Sequence, residues 1–362
     1  MEEIRSTKKM KKYLKTFLAH GFATLNLPEI LSRFSRKIAI LCYHRVIPDE
    51  LRTHVLSSPW LVVSKDSFEK QMRHLREHYH PLPLKKLLWY YENGKDFPPR
   101  GVVVTFDDGW ADNYFHAFPI LKRYRIPATI FLTTDYIETE KVFWPERVSF
   151  FLSHIEKTDP GAIPDFAHSV FKSKSSISRR GKNMLDSFIE FLKDLSPPER
   201  SRLILDLAGK APEIGKDYLK ANRLMTWKQV LEMNEAGIDF GSHGATHRIL
   251  TQLPLAEARN EIKRSKEVLE KKIRERIVAF AYPNGNYNDE ILCILREEGF
   301  QIALTTERGL NHKKTNLFRL KRLCLDDITL SDFSGKFSEA VFSLYLSGAL
   351  FNLANSTASG EL

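Results

Sequence analysis

Gly101-Val-Val-Val-Thr-Phe-Asp-Asp-Gly109 (GVVVTFDDG) is the stretch from which the fold of this chain can be read. Three consecutive valines favour extended backbone, and an unbroken apolar run reads as a strand buried on both faces. The run ends in Asp107 and Asp108. Adjacent carboxylates repel unless a cation or a proton separates them. One can ligate a metal while the other serves as a base. Gly109 permits a tight turn or the close approach of a ligand. The same pair also reads as an acidic cap on a following helix.

Strands and helices alternate outward from this point. Downstream, the pattern predicts a helix over 113–124 and a strand over 127–133 (PATIFLT). Upstream lie a strand at 37–43 (KIAILCY), followed by His44 and Arg45, and two helices within 66–93 that stop at Gly94. Alternation resumes with a helix over 227–236, ended by Gly237, and a strand at 238–240 that leads to Ser242 and His243. A helix over 255–272 and a strand at 277–281 (IVAFA) follow, the strand stopping at Tyr282 and Pro283. A further helix, a strand near 300–304 and a last strand at 317–325 complete the series. This order predicts a parallel α/β sheet or barrel. Loops after the C-terminal ends of parallel strands gather at one face. That face would bring Asp107, Asp108, His243, His247 and Asn284 together.

The regular pattern fails over about 139–222. This stretch holds the polar run SKSSISRRGK and helical patches such as 184–195, so it reads as a large insertion. Phe143, Trp144 and Pro145 at its start are expected to pack over a cleft. Residues 1–35 place Met10, Tyr13, Leu14, Phe17 and Leu18 at helical spacing among Lys8, Lys9, Lys11, Lys12 and Lys15. Such a basic helix either lies on an anionic membrane or packs on the body with lysines in solvent. The expected domains are this segment, a barrel over 36–330 and a tail over 331–362.

Across 362 residues, 43% hydrophobic and 28% charged content is that of a globular chain. The net charge of +10 favours an anionic neighbourhood: a phospholipid surface or an acidic glycan. No recognition motif supports nucleic acid as a partner. Cys42, Cys293 and Cys324 sit in apolar runs without a C-x-x-C pair, so buried free thiols are expected. No apolar run is long enough to span a bilayer, and Lys15 and His20 interrupt the N-terminal one. The expectation is a cytoplasmic protein with peripheral membrane contact.

Two further clusters follow apolar strands. Gly241-Ser-His-Gly-Ala-Thr-His247 carries histidines four apart, which share one face if the segment is helical. Two neutral imidazoles and one carboxylate make a three-ligand site with open positions. Alone, the pair also reads as surface histidines in a glycine-rich turn. Phe280-Ala-Tyr-Pro-Asn-Gly285 breaks a strand and leaves backbone N–H groups that can aim at an oxyanion, or makes a simple tight turn.

Together, TFDDG, Ser-His-x-x-x-His and FAYPNG resemble the motifs of the polysaccharide deacetylase family (NodB homology, carbohydrate esterase 4), in the form seen among exopolysaccharide deacetylases. The resemblance covers about 37–330. It implies a distorted (β/α)7-type barrel and a divalent metal, usually zinc. Asp108, His243 and His247 would be the ligands and Asp107 the general base. The backbone N–H of Asn284 would donate to the oxyanion. The implied substrate is an N-acetylhexosamine in a polysaccharide or lipid-linked glycan, with acetate released.

The chain departs from that pattern in three places. Ala281 stands where many members carry the arginine that orients the base, and Arg319 or Arg322 could approach instead. Asn284 stands where an aromatic is common. The Leu-x-His that supplies the family's general acid has no match, leaving His44 and His312 as candidates. Trp110 and Tyr282 are candidate sugar platforms, with Trp144 and Trp227 weaker ones. Competing functions are hydrolysis of small amides or cyclic imides on the same barrel, and carbohydrate binding without turnover.

Overall fold

The computed structural model describes Gly21, residues 35–158 and residues 184–349. The basic N-terminal segment, the SKSSISRRGK run and the end of the tail lie outside the described residues. Among the described residues there are ten strands: β1 (Ala39–Tyr43), β2 (Arg45–Ile47), β3 (Val62–Ser64), β4 (His80–Pro81), β5 (Gly101–Phe106), β6 (Ala128–Leu132), β7 (Asp239–Ser242), β8 (Ala279–Ala281), β9 (Ile302–Arg308) and β10 (Leu320–Cys324). The order β1-β10-β9-β8-β7-β6-β5 closes through a direct β1–β5 pairing. Every pairing in this ring is parallel. The chain thus forms the seven-stranded, helix-covered barrel expected from its motifs. β4 adds to β5 outside the ring, and β2 and β3 form a separate parallel pair.

Side chains alternate along a strand, so residues two apart share a face. Ile38, Ile40, Val103, Phe131, Ala279, Ala281, Ile302, Leu304 and Leu320 form one buried cluster with Leu84, Leu87 and Phe97. Continuing the same alternation toward the strand C-termini reaches Cys42, Thr105, Asp107, Arg322 and Cys324. The cluster is therefore apolar toward the strand N-termini and polar at the opposite mouth. Gly241 belongs to this packing, because a Cβ there would fall 2.5 Å from the Phe131 ring.

Helices form where capping residues and apolar spacing coincide. Ser64 caps Lys65–His78, a Thr226–Gln229 capping box opens Trp227–Glu235, and Asn288 caps Asp289–Glu297. Leu255–Ile273 is the longest of them. The helix expected over 113–124 is instead a π-helical turn at Asn113–Ala117 followed by Phe118–Tyr124. Cys42 is buried, but Cys293 is exposed on its amphipathic helix, which corrects the expectation of three buried thiols. Among the described residues no helix is long and apolar enough to cross a membrane.

The chain divides into two compact units, the barrel and a second unit of Glu50–Ser58 with Thr139–Arg223. The second unit packs helices Trp144–Thr158, Met184–Asp194 and Pro197–Ala208 around Val148, Phe151, Ile155, Phe188, Leu192 and Ile204. Trp144 packs against this cluster, with the Arg200 guanidinium 5.3 Å from its ring centroid. It is partly buried against the core of its own unit.

Candidate active site

Asp107 follows β5 directly, and its N–H continues the parallel ladder by donating to the Tyr43 carbonyl at 3.0 Å. The chain then turns sharply. Asp108 and Gly109 take positive φ values of 74° and 89°. A Cβ at Gly109 would lie 2.6 Å from Leu132, so the turn requires glycine. Asp108 bears the cost of a left-handed backbone, as residues at functional turns do. The two carboxylates consequently leave the turn in different directions.

His243 follows β7, and its N–H donates to the Leu132 carbonyl at 2.9 Å. His247 is not on a helix with it. Gly244 and His247 have φ of 78° and 60°, and the loop is held by buried Glu261, which accepts from the Thr246 N–H and hydroxyl at 2.8 Å each. The left-handed turns, rather than helical periodicity, bring the rings to 4.9 Å between centroids. Glu261 lies on Leu255–Ile273 and carries no local sequence signal for this role.

Asp108, His243 and His247 each offer one ligand atom, all within 4.8 Å of one another. Asp108 Oδ1 lies 3.2 Å from His247 Nε2 and 3.5 Å from His243 Nε2. Among the described residues this buried oxygen has no partner of hydrogen-bond geometry. His243 Nδ1 lies 2.8 Å from the Ala281 carbonyl, which only accepts, so Nδ1 carries the proton. The Nε2 lone pair therefore faces a carboxylate oxygen. Burial lowers the pKa of His243 to about 4, so the imidazole is neutral at ordinary pH. Two electron-rich atoms at this separation repel unless a cation lies between them. One carboxylate and two imidazoles with open positions fit a divalent metal.

Asp107 is compensated differently. Arg322, fully buried, donates Nη1 to Oδ1 and Nη2 to Oδ2 at 2.7 Å each, and its Nε donates to the Thr305 carbonyl at 2.8 Å. Burial alone would raise the Asp107 pKa, but Arg322 and His243 outweigh it and hold the pKa down at about 2. Of the two arginines expected to approach Asp107, Arg322 is the one that does so. His44 Nε2 and His243 Nε2 each lie 4.0 Å from Asp107 Oδ2, and the Cys42 thiol points at the same oxygen from 3.7 Å. The His44 carbonyl accepts from Asn113 Nδ2 at 2.8 Å.

The remaining candidates lie as follows. Arg319 pairs with Asp289 on the surface. His312 is exposed in its loop, where its Nδ1 accepts from the Lys314 N–H. Trp110 is 1% exposed, with its indole N–H donating to Asp108 Oδ2 at 2.9 Å, so its ring is not open to a sugar. Tyr282 is equally buried, its hydroxyl donating to the Phe318 carbonyl and its ring stacked on Tyr287. Trp227 is buried at the start of its helix under Lys272. Asn284 adopts φ 59° in a turn closed by the Gly285 N–H donating to the Tyr282 carbonyl at 2.8 Å, and its side chain is exposed.

Comparison with known proteins agrees with this geometry. The family described as Polysaccharide deacetylase matches residues 94–178 and 203–303, together more than half of the chain. The YxkH protein of Bacillus subtilis is 24% identical over 288 residues, 79% of this chain and 71% of that protein. A poly-beta-1,6-N-acetyl-D-glucosamine N-deacetylase of Staphylococcus aureus is 34% identical over 140 residues, 38% of this chain; the match spans about half (47%) of that enzyme's length. Among solved structures, the Streptococcus pyogenes deacetylase PplD in complex with acetate shares the fold, with a TM-score of 0.53 at 22% identity over 83% of this chain and 96% of that one. A barrel with these strand-end motifs and this family match has one assignment: the chain belongs to the polysaccharide deacetylase family, hydrolases that cleave the carbon–nitrogen bond of acetyl amides.

Proposed function

We propose that this protein is a metal-dependent deacetylase that hydrolyses the N-acetyl group of an N-acetylhexosamine within a polysaccharide or lipid-linked glycan. The observation that carries this reading is Asp108 Oδ1, buried without a hydrogen-bond partner among the described residues and faced by two imidazole nitrogens at 3.2 and 3.5 Å. Asp108, His243 and His247 would hold the cation, and mixed nitrogen and oxygen ligands with open positions favour zinc. When bound, such an ion polarises the acetamide carbonyl and lowers the pKa of water.

The chain's own groups supply the rest. Asp107 is ionised throughout the neutral range and takes the proton of the attacking water. Arg322 occupies both carboxylate oxygens from one side, which leaves Oδ2 directed at His44 and His243. The water oxygen bonds to the carbonyl carbon, and the carbon–nitrogen bond breaks as the amine gains a proton. His44, with 18% of its side chain exposed and its Nε2 4.0 Å from Asp107, is the group assigned to deliver that proton. The backbone N–H of Asn284 is assigned to the oxyanion. The net charge of +10 suits an anionic glycan or membrane surface.

The test is acetate release from a panel of acetylated oligosaccharides, lipid-linked glycans and small amides, using chelated protein and protein reloaded with zinc. Metal-dependent acetate with a matching free amine on a hexosamine is the expected result. Turnover of small amides alone would move the substrate to another class. Binding of glycans with no acetate from any metal-loaded sample would overturn the reading.

A further inference from the structure

The Asp108 carboxylate is held from behind. Its two oxygens face different surroundings, one toward the imidazoles and the other toward an indole. The indole N–H of Trp110 donates to Oδ2 at 2.9 Å. Positive φ at Asp108 and Gly109 makes this possible, because the turn folds a residue two positions later back over the carboxylate. The ring itself is fixed. The Arg45 guanidinium lies 4.2 Å from its centroid and is 1% exposed. Arg45 Nε in turn donates to Asp112 Oδ2 at 2.9 Å, and Asp112 Oδ1 accepts from the Val46 N–H at 2.9 Å. Asp112, Arg45, Trp110 and Asp108 thus form one buried series, with its last oxygen at the proposed metal.

We infer that Trp110 is a positioning residue for the metal: its N–H holds Asp108 Oδ2, so that the carboxylate presents Oδ1 alone to the ion. The inference rests on the proposed metal-dependent reading. A free carboxylate can rotate and bind through one oxygen or both. An indole donor on one oxygen fixes the torsion and favours single-oxygen ligation, which keeps a coordination position open for water and the acetamide. Partners of this kind behind a ligand commonly set affinity by about ten- to a hundredfold. The cation over the indole face holds the ring in plane and draws electron density from it, which strengthens the N–H as a donor. A tryptophan present only for packing would fill the same space without aiming its nitrogen at a ligand carboxylate.

The experiment compares wild type and Trp110→Phe, which keeps a buried ring and removes the donor. Zinc affinity of the chelated proteins is measured by competition with a chromophoric chelator, and coordination is read from the visible spectrum after cobalt loading. Expected for Trp110→Phe are about ten- to a hundredfold weaker zinc binding, a cobalt spectrum shifted toward higher coordination number, and a lowered kcat that saturating zinc does not restore. Wild-type affinity and spectrum in folded Trp110→Phe would overturn the inference. If Trp110→Phe does not fold, Arg45→Lys decides: a severalfold loss of zinc affinity supports the series, and unchanged affinity sinks it. A wild-type protein that binds no zinc or cobalt would instead overturn the proposed function, which keeps the two failures apart.

Discussion

The two sides of the barrel mouth solve the same electrostatic problem in opposite ways. Asp107 and Asp108 are neighbours in sequence, both buried, and both anionic. Asp107 has its counter-charge built in, as the two-pronged Arg322 guanidinium. Among the described residues Asp108 has none of that kind: an indole N–H holds one oxygen, and the other faces imidazoles without a hydrogen bond. A buried carboxylate without compensation is costly. The first side is therefore compensated as folded, and the second has the groups to hold the cation proposed for it. In the proposed mechanism the base must stay in place while protons come and go, and a fixed guanidinium suits this. The proposed metal would exchange water and substrate oxygens at its open positions while Asp108 stays bound.

The largest effect expected from breaking this contrast is on the incomplete side. His243→Ala or Asp108→Ala should remove stoichiometric metal and reduce acetate release to background, checked by elemental analysis and the release assay. A variant that lost the ion yet kept turnover would contradict the assignment. Next comes Asp107→Asn, which keeps shape and removes the base. It should lower kcat by roughly 10²- to 10⁴-fold with the metal retained. His44→Ala should lower kcat and kcat/KM by roughly 10²-fold. His312→Ala, in its exposed loop, should leave both unchanged. Identical kinetics in the two histidine variants would withdraw His44 from the mechanism.

Arg322→Met acts on stability as well as rate. Removing one partner of a buried ion pair leaves Asp107 uncompensated, at a cost of about 3–5 kcal/mol. Asp107→Asn in the same chain should restore a large part of that loss, because no buried charge remains to be paired. A double variant no more stable than Arg322→Met, by urea unfolding, would mean that the guanidinium acts through packing instead.

The parts of this site that were legible in the sequence are those next to a strand end. TFDDG and the two histidines each close an apolar run, and parallel topology alone brings such ends together. The choice between Arg319 and Arg322 was not legible. β10 is largely buried on both faces, with Leu320 and Arg322 on one and Leu323 on the other, so hydrophobicity cannot tell inside from outside. The helical reading of His243 and His247 failed because left-handed backbone at Gly244 and His247 has no periodic signature. Trp110 looked like a sugar platform because DDGW shows an aromatic beside the acids. Only the positive φ of Asp108 and Gly109 reveals that the ring turns inward. Arg45 with Asp112, and Glu261 with Thr246, are long-range pairs whose partners no local pattern links.

The smallest effect separates what burial does to an imidazole from what the metal side does. His243 and His74 are both held down at about 4, by burial first in each case. Only His243 faces the proposed ion. His74 lies on Lys65–His78, with Nε2 2.9 Å from the Ser343 hydroxyl, and it is faced by His78, Tyr79, Phe342, Glu339 and Arg73. Its folded pKa lies below the unfolded value of 6.5, so between the two only the unfolded chain gains the proton. Stability is unaffected above about pH 7. It falls as pH drops through 6.5, by roughly 3 kcal/mol once pH reaches 4. His74→Gln keeps a donor for Ser343 and cannot titrate, so it should lose less stability than wild type between pH 7 and 5, by about 2 kcal/mol. Zinc should protect wild type and His74→Gln equally, because the ion can hold His243 neutral and has no access to His74. Urea unfolding at the two pH values, with and without zinc, gives four numbers for each protein. If the acid loss is the same in both proteins, the share assigned to His74 belongs to other groups.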